Sequence, residues 1–377
     1  FGLIMKHVTY IHEHPNWTDW QWSDKKLLPL VSQVRLLQGQ LLGKLLTLGF
    51  DINVEAQLDA VTLEIVKTSE IEGEILQTDQ VRSSVARHLG VDDHNMPAAS
   101  REIDAVVEMM LDATFHYQKP LLLEDLLGWH RALFPEGYSG LYRIKVGKLR
   151  DDSQGAMQVV SGGYGRERVH FVAPHADRIF DELDLFLQWL NMPSSQQDNL
   201  DLVIKAGIAH LWFVTLHPFD DGNGRLTRAI TERMLAKSDG SAQRFYSMSA
   251  QILNRRNDYY KVLERTQKGD RDITLWLVWF LETLKDALLA AQATTDKIMD
   301  KANFWQMNRH HALNDRQIKM LNSLMSDFYG KLTTKKWATI NKCSIDTALR
   351  DINDLIEKGM LEKSAASGRS TNYEIVL

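Results

Sequence analysis

The stretch His217-Pro218-Phe219-Asp220-Asp221-Gly222-Asn223-Gly224-Arg225-Leu226-Thr227-Arg228 concentrates residue types that handle phosphate. It follows an apolar run, DLVIKAGIAHLWFVTL, and precedes a second helical run, RLTRAITERMLAK, so it reads as a loop feeding a helix N-terminus. Two glycines around an asparagine let backbone N–H groups turn toward one point. A helix N-terminus adds unpaired donors and the positive end of a dipole, which suits an anion. Arg225 and Arg228 stand three apart, share one helix face and offer forked, permanent charge to phosphate oxygens. Asp221 would repel phosphate directly, so a carboxylate in this place is best explained by a bridging Mg2+, a hard cation that prefers oxygen ligands. His217 opens the loop, and Pro218 is expected to hold its backbone extended. An imidazole titrating near neutral pH can take a proton from an attacking hydroxyl. Base, metal carboxylate, anion nest and two arginines together describe transfer chemistry on a di- or triphosphate. A polar turn would explain DGNG alone, but not the whole string. No GxxxxGK[ST] occurs, so this is not a P-loop.

The string resembles the signature of the Fic family, HPFx[D/N]GNGRxxR, at every fixed position. The resemblance implies that the substrate is ATP and that the reaction moves AMP onto a Ser, Thr or Tyr hydroxyl of a protein, including the enzyme itself. It implies His217 as general base and Asp221 as the Mg2+ ligand. Gly222, Asn223 and Gly224 would line the anion hole, with Arg225 on the β-phosphate and Arg228 on the γ-phosphate. Gly140-Leu141-Tyr142-Arg143 is similar to the family's GxYR-type segment before the flap. The flap itself corresponds to residues 156–172, MQVVSGGYGRERVHFVA, two short apolar runs about a glycine-rich turn, which is a hairpin pattern. Target docking by strand addition is expected near Val169, His170 and Phe171. Asn257-Asp258-Tyr259-Tyr260-Lys261-Val262-Leu263-Glu264 resembles the adenine-side helix, with Tyr259 and Tyr260 near the base. Core packing is the alternative reading of the two tyrosines. Gln267 stands where some relatives carry asparagine.

A second constellation lies upstream. Leu58, Ile65 and Glu72 are spaced by sevens, so two apolar side chains and a carboxylate share one helix stripe. An inward carboxylate needs a cation, and Arg228 is the natural candidate. Thr68 could hold Glu72 from one turn back. Thr68-Ser69-Glu70-Ile71-Glu72-Gly73 also resembles the inhibitory pattern [S/T]xxxE[G/N] of the Fic class whose inhibitory helix precedes the core in the same chain. The resemblance implies a brake in which Glu72 takes the partner of the γ-phosphate.

These residues need a helical frame. With eight prolines and long apolar stretches at 3–4 spacing, the chain is expected to be mainly α. Helices are predicted over Lys25–Leu48, Asn53–Glu72 with Asn53 as N-cap, Thr78–Leu89, Ser100–Tyr117, Leu122–Phe134 and Ala176–Asn191. Others follow over Leu200–Leu216, Asn223–Ser238, Ile252–Lys268 and Ile273–Trp305. The opening carries His7, His12, His14, Trp17, Trp20 and Trp22, read as a surface segment docked by its tryptophans rather than a metal site. From about residue 312 the order helix, helix, helix, hairpin resembles a winged helix, its third helix capped by Ser344 and its hairpin turning about Ser367-Gly368-Arg369. That third helix is acidic, with Asp346, Asp351, Asp354 and Glu357, so packing or partner binding is favoured over DNA. The expected divisions are 1–98, a helical region with the inhibitory helix, 99–305, the catalytic core, and 312–377, the winged helix.

Composition bounds the rest. The chain has 377 residues, 44% hydrophobic and 25% charged, with a net charge of −5, which argues against bulk nucleic-acid or anionic-membrane binding. Cys343 is the single cysteine, so no internal disulfide or CxxC metal pair forms, which fits a reducing, cytoplasmic setting. No apolar run is long enough to span a bilayer, and FGLIMKHVTYIHEHPNW lacks the order of a signal peptide, with Met5 a candidate native start. The architecture resembles a bacterial one. Three alternatives stay open: removal of AMP from a modified protein, transfer from another nucleotide or phosphodiester donor, and a DNA-binding regulator whose core senses nucleotide. The target protein and homodimer formation also stay open.

Overall fold

The structure, a computed structural model, describes residues 9–47, 49–91, 97–153, 155–162, 166, 168–197, 199–325, 328–364 and 371–376. His7, the flap turn at 163–165 and the turn at 367–369 lie outside the described residues. Fourteen α-helices and three antiparallel two-stranded sheets are present among those described. The chain divides into two compact units, Phe1–Ala291 and Gln292–Leu377.

In the first unit, α1 (Asp24–Thr47), α2 (Phe50–Ile71) and α3 (Thr78–His88) come first. They are followed by α4 (Arg101–Phe115), α5 (Leu123–Leu133), the hairpin β1 (Tyr138–Ser139) and β2 (Tyr142–Arg143), and the hairpin β3 (Gln158–Ser161) and β4 (Arg168–Val172). Then come α6 (Ala176–Asn191), α7 (Leu202–Leu216), α8 (Asn223–Asp239), α9 (Met248–Asn254), α10 (Arg256–Gln267) and α11 (Thr274–Met307). The division between the units falls within α11.

The apolar helix α7 is the centre of the first unit, with all but two of its residues buried. Gly207 permits the close approach to α11: a β-carbon there would stand 3.0 Å from Leu277 and Phe280. The Trp276 indole donates to the Gly207 carbonyl at 2.7 Å, closing the contact. The opening segment docks as its tryptophans suggested: Trp17 is buried, donates to Glu182 at 3.1 Å and meets Trp20 and Trp212 edge-on.

Two boundaries differ from the sequence reading. Gly49, not Asn53, is the N-cap of α2, and Asn53 lies one turn inside, its N–H bonded to the Gly49 carbonyl at 3.2 Å. The helix expected from Ile252 to Lys268 is two helices that break at Arg255, because Ser247 caps an earlier start for α9 and Arg255 leaves helical geometry at φ −116°.

In the second unit, α12 (Asp315–Leu324), α13 (Thr334–Ile340), α14 (Ile345–Glu357), β5 (Leu361–Lys363) and β6 (Tyr373–Ile375) surround Trp337, Met320, Leu321, Ile352 and Leu355. Ser344 caps α14 by accepting from the Thr347 N–H at 3.2 Å. Leu361 pairs with Ile375 and Lys363 with Tyr373. No helix among the described residues is long and apolar enough to cross a membrane.

Candidate active site

The loop between α7 and α8 is built by local bonds. Asn223 accepts from the Phe219 N–H at 3.0 Å and donates to the Phe219 carbonyl at 2.8 Å, closing the loop upon itself. Phe219 is buried and stacks on His130, centroids 4.4 Å apart. Gly222 starts α8 at φ 79°, where a β-carbon would also stand 2.8 Å from Phe134, so both backbone and space require glycine.

His217 departs from expectation. It is not extended before Pro218 but left-handed, φ 50° and ψ 56°, as the terminal cap of α7. Such a conformation is rare outside glycine and costs on the order of 1–3 kcal/mol unless its surroundings over-determine it. Here they do: Arg150 donates from Nε to the His217 carbonyl at 2.7 Å, and its own N–H bonds the Pro218 carbonyl at 2.9 Å. Arg150 also donates to Asp152 at 3.0 Å and to the Pro174 carbonyl at 2.5 Å, which fixes it in turn. The His217 Nδ1 lies 3.2 Å from the Val214 carbonyl. A carbonyl only accepts, so Nδ1 carries the proton and Nε2 is left as the free base. Burial lowers the His217 pKa below its ordinary value, which keeps the ring neutral.

Asp221 accepts from its neighbour's Gly222 N–H at 2.6 Å and from the Ser139 hydroxyl. His130 accepts the Gly147 N–H at Nδ1, 2.9 Å, and so donates from Nε2 to the Asp221 carbonyl at 3.2 Å. Burial pushes the His130 pKa down to about 4, so it serves as a neutral strut. Each carboxylate oxygen of Asp221 keeps a spare lone pair, and Asp221 borders the cavity. Among the described residues no cluster of three or more His, Cys, Asp or Glu could hold a metal. The single Asp221 carboxylate would suffice only for an ion such as Mg2+, which commonly takes one or two carboxylates and completes its shell with substrate phosphates and water.

The cavity measures about 620 Å³ and is bordered by Glu72, the flap, His217, Asp221, Gly224 and α10. Glu72 lies on the first turn of α8: a β-carbon at Gly224 would stand 2.1 Å from its Oε1. The same oxygen accepts from Arg228 Nη2 at 2.8 Å. Arg228 is buried; burial is the largest single effect and opposes its charge, but Glu72 together with Tyr259 and Tyr260 raises the guanidinium pKa. Thr68 holds Arg228 rather than Glu72: its hydroxyl accepts from Nε at 2.5 Å and its carbonyl from Nη2 at 2.8 Å. Leu58 and Ile65 are buried on the stripe that leads to Glu72. Gly73 follows at φ 88°, a left-handed helix end that glycine adopts without strain.

Other residues singled out in the sequence take varied places. Tyr259 is buried, bonded through its hydroxyl to His210 at 2.9 Å and packed near Trp276 and Trp279. Tyr260 is 40% exposed at the cavity side, beside Arg256. Gln267 donates to Thr215 at 3.2 Å. On the flap, Val169 is exposed, Phe171 is buried beside Tyr10 and His12, and His170 is bonded to Glu264 at 2.8 Å and Ser161 at 2.5 Å. Arg150, His130, Ser139 and Glu74 were not singled out by motif. Each acts through a contact remote in sequence, with no local spacing to announce it.

The helix–loop–helix, flap and cavity all lie in the first unit, where the family comparisons also fall. Residues 120–235 match the model of the Fic/DOC family, and residues 10–91 match a domain of unknown function, DUF4172. The chain carries a Fic/DOC domain. It is 27% identical over 228 residues to the protein adenylyltransferase Fic of Drosophila grimshawi, and 26% identical to that of Drosophila yakuba. The first match covers 57% of this chain and 40% of the fly protein, so the chain spans about two fifths of that relative's length. Among solved structures, a Fic family protein from Desulfovibrio desulfuricans G20 superposes with a TM-score of 0.51 at 22% identity, covering 93% of this chain and 96% of the other. A Fic domain containing signaling protein from Bacteroides thetaiotaomicron VPI-5482 gives 0.50 at 19% identity, covering 73% and 97%. These likenesses concern the fold.

Proposed function

We propose that the chain transfers AMP from ATP to a protein hydroxyl and that Glu72 restrains the reaction. The observation that carries this reading is the single cavity shared by a neutral His217, the Asp221 carboxylate and the α8 N-terminus, with Glu72 lying where an anion would sit. The target oxygen would attack the α-phosphorus while its proton passes to His217 Nε2. The bond from that phosphorus to the bridging oxygen breaks, and pyrophosphate leaves. Arg225, Arg228 and the first N–H groups of α8 would receive the charge of the leaving phosphates. Asp221 would hold Mg2+, which when bound supplies charge neutralisation on the phosphates. The flap supports strand addition by the target: β3 and β4 pair only with each other among the described strands, which leaves outer edges that no other described strand covers.

Glu72 keeps Arg228 from a γ-phosphate, so ATP meets a carboxylate at the nest. Glu72→Gly is expected to raise ATP-dependent modification of protein at least about tenfold, because the carboxylate that shields a buried arginine is removed. Adding His217→Ala to that variant should remove about 10²–10⁴-fold of the gain, the range of a general base. The check is label transfer from ATP bearing α-labelled phosphate, with Mg2+ and a bacterial lysate as target source. A Glu72→Gly chain that folds, binds ATP and is no more active than wild type contradicts the brake.

A further inference from the structure

The end of α2 carries a second acidic contact, two residues beyond Glu72. Gly73 N–H bonds the Glu70 carbonyl at 3.0 Å, and Glu74 N–H bonds the Ser69 carbonyl at 3.0 Å. With Gly73 left-handed, these two bonds make a Schellman closure. The closure holds Glu74 against α8, where its two oxygens accept from Arg225 Nη1 at 2.7 and 2.6 Å. Arg225 is buried, its guanidinium lying over the Phe134 ring at 4.9 Å, and its Nε has no hydrogen-bond partner. Glu72 and Glu74, two residues apart across one glycine, thus sit on Arg228 and Arg225, three residues apart on one helix face.

We propose that Glu74 is a second latch, which occupies Arg225 as Glu72 occupies Arg228 and lowers the affinity of the site for nucleoside di- and triphosphates. The proposal rests on the reading of the cavity as a nucleotide site and goes beyond Glu72. The two contacts differ in exposure. Glu74 is nearly half exposed and Glu72 about a third, while both arginines are almost fully buried. An exposed carboxylate on a buried cation is a weak competitor that a phosphate can displace, yet it must be displaced before the phosphate binds. The closure at Gly73 holds both carboxylates on one turn, so its opening would free both arginines at once.

The experiment is calorimetric titration of the full chain with ADP and with ATP, both with Mg2+, for wild type, Glu72→Gln, Glu74→Gln and the double variant. Glu74→Gln should tighten ADP binding about three- to fivefold, the gain from removing a competing pair with one exposed partner. The double variant should bind ATP more tightly than either single one. Glu74→Ala, read the same way, guards against a new amide contact. If Glu72→Gln tightens ATP while Glu74→Gln and Glu74→Ala leave ADP unchanged or weaker, Glu74 merely positions Arg225 and the latch is wrong. If no variant binds either nucleotide while all melt cooperatively, the nucleotide reading of the cavity fails and the latch with it.

Discussion

His217 owes its readiness as a base to neighbours that hold its backbone and one ring nitrogen. The left-handed cap turns it out of α7, Arg150 grips its carbonyl, and Val214 takes the Nδ1 proton. Its pKa is lowered chiefly by burial, and a base works unprotonated. The acid limb of the rate should therefore fall only below pH 6.5, the ordinary histidine value, and not at it. Rate against pH for Glu72→Gly measures this; an acid limb centred above 6.5 contradicts it. Arg150→Met should lower the rate of that variant about tenfold or more without changing ATP affinity, since small misplacements of a catalytic group are costly. Titration beside kinetics separates the two. At this scale the sequence was generous where chemistry is contiguous. Residues 217–228 displayed His217, Asp221 and both arginines in one string. Arg150 and His130 reach the loop from more than sixty residues away, and nothing near them in sequence marks a role.

Among the elements, the end of α2 and the start of α8 decide what the cavity admits. The seven-residue stripe through Leu58 and Ile65 foretold an inward Glu72, because helix periodicity alone sets that face. The partner of Thr68 was not foretold, since whether a hydroxyl meets the acid or its arginine depends on the docking of two helices. The missed break at Arg255 has a similar cause: α9 is held by Ser247 and Ser249, which bond Glu64 of α2, a tertiary tie with no local signal. Gly222→Ala combines a positive φ with a clash against Phe134, so it should cost about 1–3 kcal/mol of stability. Denaturant unfolding would show it. Gly73→Ala has open space around it but the same positive φ, so it should loosen the closure at a smaller cost, about 1 kcal/mol.

For the molecule as a whole, two buried histidines link folding to pH. Burial pushes His130 down to about 4 and His210 to about 3. The unfolded chain, with histidine near 6.5, then binds more protons than the folded one between about pH 4 and 6.5. Stability should be full above 6.5 and decline as the pH falls through that window, by roughly 3 kcal/mol for His130 alone. His130→Asn should flatten part of that slope in melts taken from pH 7 to pH 4.5. In the second unit, Asp351 of α14 turns inward to Arg316 at 2.8 Å and Asp354 pairs with Lys358. The face of α14 left open includes Ile345, Leu349 and Glu357. That mixture suits a protein surface, so duplex DNA should produce no salt-dependent shift.

The most direct test of AMP transfer compares two labels on one reaction. Glu72→Gly is incubated with Mg2+, a target lysate and ATP labelled at either the α- or the γ-phosphate. Label from the α-position should stay on protein and label from the γ-position should leave with pyrophosphate, both lost with His217→Ala. Retention of the γ-label would mean phosphoryl transfer instead, and retention of neither would contradict the proposed reaction.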